Sequence, residues 1–143
     1  MTTIDFYILK SSKAPQHDLF ACKLTEKIYK SGHSLFINTR DQQQNQHFDK
    51  MLWTFRDLSF IPHSLINTDQ LTSDPVQLAY NINPDEQHAC EVLLNLADQV
   101  PTFFSSFPRV AEIVSQSGEQ KKFARERFKF YRDRGYKINT HEL

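Results

Sequence analysis

Residues 3–38, TIDFYILKSSKAPQHDLFACKLTEKIYKSGHSLFIN, decide the fold. Thr3 to Leu9 is rich in branched and aromatic residues and alternates, so it reads as a strand. SSKAP opens a helix with Pro15 near its first turn, where a missing amide hydrogen is harmless. Phe20, Ala21, Leu24 and Ile28 then recur at helical spacing, and Gly32 stops the helix. Ser34 to Asn38 is a second, short apolar strand. Strand, helix and strand within about forty residues make a βαβ unit, expected to close right-handed onto a parallel pair.

Outward from there the same grammar repeats. Asp41 with Gln44 is a capping pattern, and Phe48, Met51, Leu52 and Phe55 share one face of the helix that follows. Trp53, Phe60, Ile61, Pro62 and His63 lie around a segment that otherwise reads as loop. Asp74-Pro75 turns into a strand at Val76 to Asn81, and Asn83-Pro84-Asp85 is another turn. Val92 to Leu96 reads as a buried strand, Val110 to Val114 as one more after the PTFFSSFP loop, and Tyr136 to Asn139 as a short edge strand. The expected architecture is an α/β, Rossmann-like three-layer sandwich with a mostly parallel central sheet, one domain over 1–143.

The last helix carries the chemistry. In SGEQKKFARERFKFYRDRGYKINT (117–140), Ser117 and Gln120 fit a capping box, and Gly135 sits where a left-handed cap is expected. On a helical wheel Phe123, Ala124, Phe130 and Tyr131 gather on the core side. Lys121, Arg125, Phe128 and Arg132 gather on the next sector, with Lys129 beside them. A cationic stripe with one large aromatic in its middle suits an acidic peptide ending in an apolar side chain, or a terminal carboxylate next to one. The bland reading is a solvated face whose Lys and Arg stems cover apolar surface.

Charge sharpens this. The whole chain has 17 Lys/Arg and 17 Asp/Glu, yet residues 121–137 hold eight Lys/Arg against two acids. A protein that coats nucleic acid is basic throughout; this one has a single basic element. A chain of 143 residues can bury a sizeable core, and its 12 Phe and 5 Tyr suit an aromatic one. Two cysteines, Cys22 and Cys90, make neither a disulfide framework nor a metal set and fit a reducing cytosol. No apolar run reaches the ~20 residues of a membrane span. MTTIDFYIL has no cationic n-region, so it does not read as a signal peptide.

Nucleotide and catalytic equipment is thin. None of the three glycines, Gly32, Gly118 and Gly135, belongs to a G-x-G-x-x-G or G-x-x-x-x-G-K-[ST] pattern. The six histidines are scattered without metal-ligand spacing, and Asp57 with His63, flanking the Trp53 segment, could be imagined as an acid–base pair. His63 beside Pro62 reads instead as a loop-corner histidine bonded to backbone. Neither cysteine has the electropositive setting of a nucleophile. No catalytic residue, cofactor or metal is expected. A nucleotide-using enzyme would need a bound phosphate near residues 10–14.

FYIL on the first strand, LWTFRDLSFIPHSL at 52–65 and KKFARERFKFYRDRGYKINT at 121–140 together resemble the chi subunit family of bacterial DNA polymerase III holoenzyme. The resemblance runs the length of the chain; its specific parts are the middle aromatic segment and the last helix. It implies a non-catalytic, cytoplasmic accessory subunit of a DNA-polymerising complex. Such a protein pairs with the psi subunit of the clamp loader and grips the acidic, Phe-ending C-terminal tail of single-stranded-DNA-binding protein, so that it meets DNA only indirectly. The family's tail-binding positions match Lys121, Arg125, Phe128 and Lys129, with Val114 nearby; the helical wheel adds Arg132. Its psi-contacting aromatics match Trp53 and Phe60, a surface that in some bacteria also receives a repair helicase. Better-known members carry Tyr where this chain has Phe128, so a hydrogen bond through that hydroxyl is lost. The alternative is a module that binds nucleic acid directly through the same helix.

Overall fold

The structure, a computed structural model, describes residues 2–55, 61–65, 74–84 and 90–143. Strands β1 (Thr3–Ile8), β2 (Leu35–Thr39), β3 (His63–Leu65), β4 (Val76–Tyr80), β5 (Val92–Asn95), β6 (Arg109–Val114) and β7 (Lys137–Glu142) form one sheet, ordered β3-β4-β2-β5-β6-β1-β7. Every neighbouring pair is parallel. Helices α1 (Ala14–Lys30) and α2 (Gln42–Thr54) follow β1 and β2; α3 (Gly118–Asp133) joins β6 to β7.

Pleating sorts the strands' side chains into two cores. Leu35, Ile37, Val92, Leu94, Ala111 and Ile113 face α1 and α2, where they meet Ala21, Cys22, Leu24, Phe48 and Leu52. Ile4, Phe6, Phe36, Leu93 and Val110 face the other way, against Tyr131 of α3. The PTFFSSFP segment is part of that second core: it forms a 3-10 turn (Phe104–Ser106), with Phe104 and Phe107 buried. Phe36 packs between Phe103 and Phe107, each with its ring centre 5.8 Å away. The result is the expected α/β three-layer sandwich.

Several local expectations hold. Pro15 lies in the first turn of α1. Asp41 caps α2 by accepting from the Gln44 amide at 2.7 Å, while the Gln44 side chain reaches back to the Arg40 amide at 2.7 Å. Gly32 and Gly135 have φ of 85° and 80°, the left-handed geometry that ends α1 and α3.

Three do not. β1 and β2 are not neighbours: β5 and β6 lie between them, because β2 is taken by β4 and β5 and β1 by β6 and β7. The crossover through α1 spans three strand spacings, about 14 Å at 4.8 Å each, which a 17-residue helix easily covers. Ser117 is the N-cap of α3 but its side chain makes no capping bond; its amide instead donates to Ser115 Oγ at 3.3 Å. His63 opens strand β3 rather than lying in a loop, although its Nδ1 does meet a backbone carbonyl, Ile61 O at 2.6 Å.

Candidate functional site

The position of α3 is set from beneath by a charge in the core. Glu112, midway along β6, has no exposed surface. Its carboxylate receives Arg127 Nε at 2.9 Å, Tyr131 OH at 2.7 Å and Asn95 Nδ2 at 3.0 Å. Arg127 also donates through Nη1 to Asp98 O at 2.9 Å. Burial pushes the Glu112 carboxyl upward, against the pull of Arg127, Asn95 and Tyr131, and it pushes the Tyr131 hydroxyl up as well. Sequence reasoning counted Arg127 with the helix's surface charge and missed this pair. The available signal was Glu112 itself, an acid inside the apolar run VAEIV.

This pair fixes which flank of α3 faces which strand. Arg127 reaches toward β6 and the segment after β5. Phe128, one residue on, lies on the opposite flank, with its ring edge-on to Phe6 of β1 at 5.3 Å. Since β1 and β7 lie on that side of β6, the sector with Lys121, Arg125, Phe128 and Arg132 overhangs the outer strand. Phe128 and Val114 are half-buried against the α3-side core. Lys121 is half-buried; Arg125, Lys129 and Arg132 are exposed. Lys121, Arg125 and Lys129 form no side-chain ion pair with any described residue, whereas Arg132 lies 3.4 Å from Asp133. Of the helix's acids, Glu119 and Glu126 lie away from this sector, and Asp133 meets only its last member, Arg132. The core side is as expected for Ala124 and Tyr131, which are buried; Phe123 and Phe130 are only partly so, and Phe130 carries the Arg134 guanidinium 3.6 Å above its ring.

The second candidate surface lies at the far edge of the sheet. Trp53, near the end of α2, is 51% exposed, and Leu65 of β3 and Tyr80 of β4 are exposed beside the same edge. The indole ring centre sits 4.7 Å from that of His63. His63 is buried, with Nε2 3.1 Å from Asp49 Oδ1. Phe60, its expected companion, and Asp57 lie outside the described residues.

A third place is the crevice at the carboxyl ends of the strands, where nucleotides bind in related architectures. It encloses about 380 Å³ between Ser12, His17, Arg40, Gln44, Ser117 and Gln120. Carboxylates already engage its imidazoles and its guanidinium. Asp18 lies 3.2 Å from both His17 and His47, and Arg40 lies 3.3 Å from Asp41 and 3.8 Å from Asp98. Against the upward push of burial, the two imidazoles hold the Asp18 carboxyl below its ordinary value. Burial pushes the Cys22 and Cys90 thiols up to about 12 and about 11, so neither forms a thiolate readily. Among the described residues no helix is long and apolar enough to cross a membrane.

These features define a class: a Rossmann-like α/β protein that displays a cationic helix flank toward one outer edge of a parallel sheet and exposed aromatics at the other. Residues 1–139 match the family model of the DNA polymerase III chi subunit, HolC. The chain is 36% identical over 143 residues to the DNA polymerase III subunit chi of Pseudomonas aeruginosa, covering 100% of this chain and 98% of that one. It is 27% identical to the Escherichia coli protein of the same name, over 98% of this chain and 97% of that one. The chain therefore belongs to the DNA polymerase III chi subunit family. The crystal structure of T4 UvsW superposes with a TM-score of 0.71 over 99% of this chain and 41% of that one; at 9% identity this is a likeness of fold alone.

Proposed function

We propose that the protein is an accessory subunit of DNA polymerase III, acting in the cytoplasm as one domain over 1–143 and carrying no catalytic site of its own. The α3 flank holds the acidic, Phe-ending tail of single-stranded-DNA-binding protein. The Trp53 edge, with Phe60, holds a psi-type clamp-loader subunit and is the surface a repair helicase would share. The observation that carries the reading is the cationic sector around half-buried Phe128, whose Lys121, Arg125 and Lys129 pair with no acid among the described residues, in a member of this family. A disordered acidic tail is drawn to such a sector, and a terminal aromatic ring has Phe128 and Val114 to pack against. Its carboxylates pair with Lys121 and Arg125, with Lys129 and Arg132 extending the row. With no phenolic hydroxyl at Phe128, the contact there is apolar. The polymerase assembly is thereby held to protein-coated single strands.

The test is a calorimetric titration with the tail peptide and with the same peptide lacking its final Phe. Binding is expected for the first and a loss of at least tenfold for the second. Equal binding of the two, or tighter binding of single-stranded DNA than of either, refutes the reading and favours a direct nucleic-acid module.

A further inference from the structure

Strand β7 is the outermost strand on the α3 side, and none of the described residues pairs with its outer edge. Its two faces are fixed by register. Ile138 and Thr140 pair with Ile4 and Phe6, so they face α3, and Ile138 packs on the α3-side core. Asn139 and His141 face the other way, where they meet Asp5 at 3.3 and 3.1 Å. The backbone directions follow as well. Leu143 donates its amide to Ile8 O at 3.1 Å. In a parallel ladder alternate residues bond to alternate sides. Asn139 and His141 therefore bond β1, and the amides and carbonyls of Ile138, Thr140 and Glu142 point outward.

We infer that β7 accepts an extended acidic peptide as an eighth strand. The inference rests on the reading of α3 given above and names how the same ligand is held. The six residues of β7 span about 20 Å at 3.3 Å each, and the sixteen of α3 span about 24 Å at 1.5 Å each. One extended peptide can therefore run along the open edge with its side chains reaching the cationic sector above. Charge selects the occupant. A second copy of this chain added at β7 would set two cationic sectors against each other; an acidic peptide answers the sector it meets. The only acid on the α3-facing side of β7 is its last residue, Glu142.

The experiment uses the full chain and a synthetic ten-residue acidic peptide ending in Phe. At saturation, hydrogen exchange of the Ile138 and Thr140 amides is expected to slow at least tenfold, with those of Asn139 and His141 unchanged. Thr140→Pro removes one outward amide without touching a bond to β1; it is expected to weaken the peptide about tenfold, whereas Thr140→Ala does not. Alternate N-methylation of the peptide backbone gives the same loss without altering the protein. Unchanged exchange at Ile138 and Thr140, together with equal affinity for the N-methylated peptide, overturns the strand addition. If Arg125→Ala weakens binding tenfold or more in that case, the helix site stands and only this inference falls; if the peptide does not bind the unmodified protein, both fall.

Discussion

Arg127→Ala tests the account of how α3 is seated. The side chain is 6% exposed and its partner carboxylate fully enclosed, so truncation leaves Glu112 buried without its cation. Breaking such a pair costs about 3–5 kcal/mol. For a chain of 143 residues, with an unfolding entropy of about 2.1 cal/mol/K per residue, that is a fall in Tm of about 10–17 °C. Removing Arg127 also removes the main downward pull on Glu112, whose pKa already lies above its ordinary value. A folded-state pKa above the unfolded one stabilises at low pH and loses that stabilisation as pH rises. The deficit of the variant is therefore smallest below about pH 4.5 and grows toward neutrality. Glu112→Gln combined with Arg127→Met removes both charges while leaving Tyr131 an acceptor, and should recover much of the loss. Thermal unfolding at pH 4 and pH 7 by circular dichroism measures all three proteins. A fall below about 3 °C for Arg127→Ala at pH 7, roughly 1 kcal/mol, or a deficit that does not vary with pH, would refute the reasoning.

Arg125→Ala should weaken the tail peptide by about 1.5–3 kcal/mol, the range for a charge-assisted hydrogen bond, without changing Tm; calorimetry and a melting curve decide it. Trp53→Ala, which removes a half-exposed ring, should lower Tm by less than about 4 °C and abolish co-purification with psi, as should Phe60→Ala; a fall beyond about 8 °C in either would mean a core role instead. Against the upward push of burial, His141, Asn139 and Arg109 hold the Asp5 carboxyl below its usual value of 3.8. Its stabilisation is therefore present above that value and lost as pH falls through the folded pKa, so Asp5→Asn should flatten the acid limb of a stability–pH curve; an unchanged limb would count against the cluster.

What the sequence makes legible here is what is local. The strands at Thr3, Ser34, Val76, Val92 and Val110 announce themselves by runs of branched residues, and Asp41 and Gly135 by chemistry that acts within one turn. Strand order is not local: nothing in TIDFYIL or SLFIN states that two later strands will come between them. β3 escapes because three residues, His63–Leu65, are too few for a period to show. Arg127 escapes for the same reason as the strand order, since Glu112 lies fifteen positions away on another element. The cationic sector was readable because it needs only the helical repeat; its overhang of β7 needed the Glu112 pair to fix the flank.

The sheet also acts as a spacer between two electrostatic environments. From β3 to β7 there are six strand spacings, about 29 Å at 4.8 Å each. The screening length at physiological ionic strength is about 8 Å, so the field of the α3 cations fades several-fold before it reaches the indole of Trp53. A change of charge at one edge, such as a bound acidic chain, therefore leaves the other edge's contacts essentially as they were.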